Sequence, residues 1–274
     1  MTLEKLKQQF IEELQSIYDK SEIESIFFIY LEDKLGLSFS PNTLIENDFI
    51  TQDLAQLKQG KPIQHITGKA FFYNDFFEVN EFTLIPRPET EELIELIRTN
   101  YQPNDELHII DLGTGSGCIP ITLAQLFPQA TVTALDISED TLKVAQKNAT
   151  KLMTEIQFYQ KDLLQPIDLE RKFDLIISNP PYIRNLEKVE MHQNVLEFEP
   201  HLALFVEDEH ALIFYERIIA FAQNHLKENG CIYCEINQYL GKETKELFEE
   251  VYQSVEIIQD IAGNDRMLKA FGLK

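Results

Sequence analysis

Tryptophan is absent from the 274 residues, and cysteine occurs only at Cys118, Cys231 and Cys234. Three cysteines are too few for a disulfide framework. Cys231-Ile232-Tyr233-Cys234 has CxxC spacing, but no second pair completes a zinc site. The segment reads instead as a buried strand, in which residues three apart face opposite sides. Basic residues are also scarce: Lys+Arg 24 against Asp+Glu 46 gives a net charge of −22. Such a surface repels a phosphate backbone and argues against a general nucleic-acid-coating role. No apolar run reaches the ~18 residues of a membrane span. Met1-Thr2-Leu3-Glu4-Lys5 lacks a basic region leading into an apolar one, so no signal peptide is visible and a soluble, cytoplasmic chain is expected. The six histidines fall in no metal-binding spacing, and no metal is expected.

Hydrophobic residues make up 44% and charged residues 26%, enough apolar material for a substantial core. The length suits one large domain or two modest ones. Leu3, Leu6, Phe10, Leu14 and Ile17 recur at helical steps, as do Ile23, Ile26, Phe27, Tyr30 and Leu31, and then Phe49, Ile50, Leu54 and Leu57. Residues 1–68 therefore read as a small helical bundle. Residues 69–88 read as a hairpin linker, with Asn74-Asp75 as its turn and Pro86-Arg87-Pro88 stiffening its exit. A helix over 89–98 opens the remainder, residues 89–274. There, strands are expected at 107–112, 131–136, 155–160, 173–178, 231–236, 256–261 and 267–272. Helices are expected at 118–127, 139–152, 211–227 and 241–252. Alternation of this kind predicts an α/β fold with a largely parallel sheet covered on both faces. The last two strands are too close in sequence for a parallel crossover and should pair antiparallel at the sheet's end.

Two local patterns carry chemistry. Asp111-Leu112-Gly113-Thr114-Gly115-Ser116-Gly117-Cys118 follows a strand and opens a helix. Its third glycine comes one residue too early for the GxGxxG dinucleotide fingerprint. The GxGxG form after an acid resembles the first motif of S-adenosylmethionine-dependent methyltransferases, whose ligand has no phosphate and needs only room for a methionine tail. Asp136, ending the next strand, is placed to accept hydrogen bonds from ribose hydroxyls, although it can also cap the following helix, as Ser138 can. Asp162 and Leu163 stand after the third strand, where that pattern borders the adenine.

The second pattern is Asn179-Pro180-Pro181-Tyr182, after the hydrophobic strand ending at Ser178. Two prolines explain a stiff strand exit, but not the asparagine and tyrosine at the carboxyl end beside the ligand crevice. An amide or exocyclic amine is a poor nucleophile because its lone pair is delocalised. The Asn179 side-chain carbonyl and the Pro180 backbone carbonyl can both accept from one NH2 group and orient its nitrogen. Tyr182 can pack on the flat amide. Planar nitrogens of nucleobases and of protein glutamine both qualify.

With Pro62-Ile63-Gln64-His65-Ile66-Thr67-Gly68, Pro86-Arg87-Pro88-Glu89-Thr90-Glu91, Phe198-Glu199-Pro200 and Asp260-Ile261-Ala262-Gly263-Asn264-Asp265-Arg266, the chain resembles the HemK/PrmC family of release factor glutamine N5-methyltransferases. The resemblance runs from about Leu57 to Lys274. It implies a Rossmann-like class I methyltransferase sheet with an antiparallel last strand. It also implies methyl transfer from S-adenosyl-L-methionine to the glutamine of the Gly-Gly-Gln loop in class 1 peptide chain release factors. Carried over by motif, Gly113, Thr114, Gly115, Ser116, Gly117, Asp136, Asp162, Leu163 and Asn179 bind the cofactor. Asn179, Pro180, Pro181 and Tyr182 hold the glutamine, with Asn179, Pro180 and Tyr182 as the catalytic set. Arg87, Pro88, Glu89 and Thr90 border the site, and the helical region helps hold the release factor. The family often carries an aromatic residue where this chain has Leu163, and Glu-Ile-Gly where it has Glu235-Ile236-Asn237; neither departure is expected to touch the chemistry.

Around these motifs, His65 is read as positioning the linker. The segment containing Glu197 and Glu199 is read as a substrate-facing lid. Glu207-Asp208-Glu209-His210 is read as acids suited to a helix N-terminus. Arg87 is available to a cofactor carboxylate, a partner acid or a surface salt bridge. The competing functions are a DNA or RNA adenine methyltransferase and a scaffold without turnover. The charge balance opposes the first, and the intact motifs oppose the second.

Overall fold

The computed structural model describes residues 1–45 and 49–274. Helices α1 (Leu3–Leu14), α2 (Lys20–Ile29), α3 (Ile50–Lys58) and α4 (Ile63–Thr67) begin the chain, with a π-helical turn at Tyr30–Lys34. Thr2 and Asp19 cap the first two through their side-chain oxygens. The apolar stripes meet in a separate core that includes Leu6, Phe10, Phe27, Tyr30 and Leu57. Ile17 departs from its expected place: α1 ends before it, and it is 46% exposed.

Gly68, at φ 70°, closes α4 and feeds a hairpin of β1 (Lys69–Phe72) and β2 (Asp75–Glu78). Phe72 pairs with Asp75, so the turn is Tyr73-Asn74, one residue earlier than expected. Tyr73 takes φ 59° there, held by a backbone hydrogen bond to Glu91 (2.9 Å) and a hydroxyl bond to Glu95. Both acids project from α5 (Pro88–Asn100), so tertiary contact chooses the turn.

From α5 the chain alternates through β3 (His108–Leu112), α6 (Cys118–Leu126), β4 (Thr131–Asp136), α7 (Glu139–Lys151), β5 (Ile156–Gln160) and β6 (Phe173–Ser178). A long excursion holds β7 (Ile183–Arg184), α8 (Gln193–Phe198) and β8 (Phe205–Val206). Then come α9 (Ile213–His225), β9 (Leu226–Glu235), α10 (Gly241–Glu249), β10 (Tyr252–Gln259) and β11 (Asp265–Leu273). Two strands start well before the positions expected from sequence. Strand β9 begins directly after α9, with Leu226 paired to Phe173, and β10 begins at Tyr252, paired to Leu273. Pairing across the sheet extends both strands into residues whose local pattern reads as helix.

The seven-stranded sheet has the order β10-β11-β9-β6-β3-β4-β5, and β11 alone runs antiparallel to its neighbours. Alternate residues fill two cores. Ile109, Leu175, Ile177 and Cys231 face α5 and α6, whereas Ile110, Ile176, Ile232 and Cys234 face α9 and α10. The two cysteines of the CxxC spacing thus lie on opposite faces, as a strand requires. Among the described residues, no helix is long and apolar enough to cross a membrane.

Candidate active site

Strand order reverses between β3 and β6, and in such sheets a crevice opens outside the carboxyl ends at the reversal. Parallel pairing of Ile109 with Leu175 aligns the two strand ends, and the Ser178 hydroxyl donates to the Leu112 carbonyl at 2.7 Å. The glycine loop after β3 and the Asn-Pro-Pro-Tyr segment after β6 are thereby neighbours. Both line a cleft of about 340 Å³.

The glycine loop is fixed from several sides. Gly113 and Thr114 donate their N–H groups to the Leu135 carbonyl at 2.9 and 3.0 Å. Gly117 stands at φ 82°, and a Cβ there would lie 3.1 Å from both Ala145 and Ile121, so conformation and space both require glycine. Asp136 accepts from the N–H groups of Gly115 and Ser138, each at 3.0 Å. Ser138 is the helix cap, accepting from Thr141. Asp136 therefore spans the loop and the end of β4, while burial raises its carboxyl against those hydrogen bonds. Asn148 of α7, which carries no local motif, donates to the Ser116 and Glu78 carbonyls at 2.9 Å and accepts from the Glu78 N–H. It ties the hairpin to the loop.

The polar groups fit S-adenosylmethionine. Asp111 is fully buried, and neither carboxylate oxygen meets a donor in hydrogen-bonding geometry. Burial pushes its carboxyl up to about 7, opposed by the nearby Thr114 hydroxyl. The buried hydroxyls of Thr114 and Ser116 are also unpartnered. An acid suits an ammonium group, and the open space over Gly113 and Gly115 suits close approach of a methionine tail. Asp136, Asp162 and Leu163 line the same cleft. Asp162 turns one oxygen back to the Leu164 N–H at 2.9 Å.

At the other end, Asn179 donates its Nδ2 to Thr90 Oγ1 at 3.2 Å. Thr90 donates to Glu235 Oε2 at 2.7 Å, and the Tyr182 hydroxyl donates to Glu235 Oε1 at 2.7 Å. Asn179, Pro180, Pro181 and Thr90 line the cleft; Tyr182 packs against the core beneath α9 and is not part of the lining. Glu235 is 2% exposed, and burial raises its carboxyl against the Thr90 and Tyr182 hydroxyls and the Arg266 guanidinium. Asn237, where the sequence leaves the family pattern, has a structural role. Its amide donates to the Tyr182 carbonyl at 2.9 Å and to the Glu187 carboxylate, bracing the segment after the motif.

Of the Arg87-Pro88-Glu89-Thr90 border, Arg87 and Thr90 line the cleft. Arg87 pairs with Glu199 at 2.6 Å, and Glu199 also accepts from the Ile85 N–H at 3.1 Å. Pro200, Leu202 and Ala203, next to Glu199, complete one wall. Glu207 and Asp208 hold Asn185 and Leu186 rather than capping α9. His65 is half-buried, with both ring nitrogens unpartnered, and burial lowers its basicity against the field of Glu199. Glu81, Phe82 and Leu84 also line the cleft without any motif to announce them.

Residues 89–201 match the family model "Methyltransferase small domain". The chain is 50% identical over 281 residues to the release factor glutamine methyltransferase of Flavobacterium psychrophilum, covering 98% of this chain and 99% of that one. Identity to the corresponding Bacteroides thetaiotaomicron enzyme is 40%, covering 94% and 95%. In fold, the chain resembles a T. thermophilus 16S rRNA N2 G1207 methyltransferase solved with AdoMet and guanosine, at TM-score 0.54 and 19% identity, over 74% of this chain and 49% of that one. A glycine loop beside an Asn-Pro-Pro-Tyr segment at the carboxyl ends of a methyltransferase-like sheet, in a sequence this similar along its whole length, places the chain: it belongs to the release factor glutamine methyltransferases, S-adenosylmethionine-dependent enzymes.

Proposed function

We propose that this chain methylates the side-chain nitrogen, N5, of the glutamine in the Gly-Gly-Gln loop of class 1 peptide chain release factors. The observation carrying this reading is the Asn179 amide, committed through Nδ2 to Thr90 at the edge of the cleft. Its Oδ1 is left to accept from an incoming amide, as is the Pro180 carbonyl. Gripping both N–H bonds turns the nitrogen lone pair away from them and toward the cleft. Bound S-adenosylmethionine supplies an already activated sulfonium methyl. The residues then have to position and exclude rather than activate. Asp111, Asp136 and the glycine loop would hold that group. Pro180 and Pro181 limit the clamp's motion because their φ angles are fixed. The proton leaves after transfer, when the nitrogen has become acidic.

Methyl transfer from labelled cofactor to an intact release factor tests the reading, beside a release factor whose Gly-Gly-Gln glutamine is replaced and beside adenine-containing DNA. Label only in the intact factor, recovered on N5 after digestion, is expected. Label in DNA, or in the glutamine-replaced factor, would refute it.

A further inference from the structure

The polarity of a hydroxyl decides which way an amide next to it faces. Thr90 has one proton, and its partner Glu235 Oε2, at 2.7 Å, can take it. The Tyr182 hydroxyl occupies the other oxygen of the same carboxylate, also at 2.7 Å. A carboxylate is acceptor-only, so both hydroxyls must point their protons at it. Thr90 Oγ1 then has only lone pairs to offer. Asn179, 3.2 Å away, meets it with Nδ2 and turns Oδ1 elsewhere. Burial raises the Glu235 carboxyl, and the two hydroxyl donors and the Arg266 guanidinium oppose that rise by stabilising the carboxylate.

We infer that Glu235 and Thr90 are positioning residues for methyl transfer: the buried carboxylate fixes the direction of the Thr90 hydroxyl, and so sets the Asn179 amide with its carbonyl facing the substrate. Neither contacts the reacting nitrogen. The inference rests on Asn179 accepting from that nitrogen, and it adds what selects the amide orientation. The opposite orientation would present Nδ2, a donor, to a substrate NH2 group, which is a repulsive contact.

Glu235→Gln changes the logic while keeping shape. The Arg266 cation beside Tyr182 disfavours a second donor at that hydroxyl, so the new amide turns its oxygen to Tyr182 and its NH2 to Thr90. Thr90 then donates toward Asn179 and favours the flipped amide. Thr90→Val removes the relay with little change in volume.

The test uses the full chain, an intact release factor and single-turnover methylation, with cofactor affinity by calorimetry and thermal midpoints in parallel. Glu235→Gln and Thr90→Val are each expected to slow transfer about 10- to 100-fold. Cofactor affinity should stay within about twofold. Thr90→Ser, which restores the hydroxyl, should recover most of the loss. The Glu235→Gln/Thr90→Val double variant should be little slower than either single variant, because both break one relay. Losses that multiply in the double variant, or a Thr90→Ser variant as slow as Thr90→Val, would overturn the inference. So would a fall that follows the thermal midpoint or cofactor affinity. Asn179→Ala separates the two levels. If it stops transfer while Glu235→Gln and Thr90→Val do not, the clamp stands and the relay fails. If Asn179→Ala transfers normally, the clamp itself fails.

Discussion

Asn179 has two amide ends, and the fold commits only one. Removing the side chain deletes the free acceptor, so Asn179→Ala should lower single-turnover methylation about 10²- to 10³-fold with little loss of cofactor affinity. Near-normal turnover would end its proposed role. Asp136 is different, because its oxygens already serve Gly115 and Ser138. Asp136→Ala should weaken cofactor binding in calorimetry, with about 1.5–3 kcal/mol for each charge-assisted hydrogen bond as an upper scale. Unchanged affinity would leave it a purely structural brace. Asp111 makes a pH prediction. Its carboxyl is pushed up to about 7 by burial, so the folded chain holds the proton more tightly than the unfolded chain does. The resulting stabilisation is fully present below about pH 4 and is lost as pH rises through about 7. Without cofactor, the thermal midpoint of the parent should therefore fall relative to Asp111→Asn between those values. Parallel curves would contradict it.

Among the elements, the excursion between β6 and α9 is fastened to the chain before α5 by a charged pair. Glu199, with its side chain 1% exposed, reaches back to Arg87 and to the Ile85 backbone. Arg87→Ala leaves that carboxylate one hydrogen bond, at a cost of about 1–3 kcal/mol. Denaturant unfolding should show the loss, and amide exchange should rise in the segment carrying α8 before it rises in the sheet. Equal exchange in parent and variant would mean the pair does not hold the segment. A surface salt bridge was among the roles open to Arg87 in sequence; the pair it makes is instead with a buried carboxylate, and that partner was not legible. Arg87 and Glu199 are 112 positions apart, and nothing local marks them as mates. The strands and helices themselves were readable because period-two and period-3.6 patterns are local. Where they misled, as at Leu226 and Tyr252, a partner strand supplied the hydrogen bonds that local pattern could not reveal.

For the whole molecule, the open question is what residues 1–68 contribute. Their core is separate, yet Lys69 at the start of the hairpin reaches the Asp33 carbonyl at 3.0 Å, fastening hairpin to bundle. If the bundle docks the release factor, a chain without residues 1–68 should bind cofactor normally but methylate the intact factor with a raised apparent Michaelis constant. The comparison needs matched folded fractions, judged by circular dichroism and cofactor affinity. Equal efficiency would mean that the bundle serves stability alone.

The amino-acid sequence by itself determined the alternating sheet, the glycine loop and the Asn-Pro-Pro-Tyr exit, because each is a short-range pattern of residue types acting on its own backbone. Only the tertiary structure decided that Thr90 and Glu235, 145 positions apart, share one hydrogen bond, and that Asn148 reaches Glu78 of the hairpin, 70 positions away, and Ser116 of the glycine loop, 32 positions away. It also turned Tyr182 toward the core and made Asn237 a brace for the segment after the motif. The physical reason is that a side chain's residue type states what it can donate or accept, whereas its partner is whatever strand order and register bring within about 3 Å.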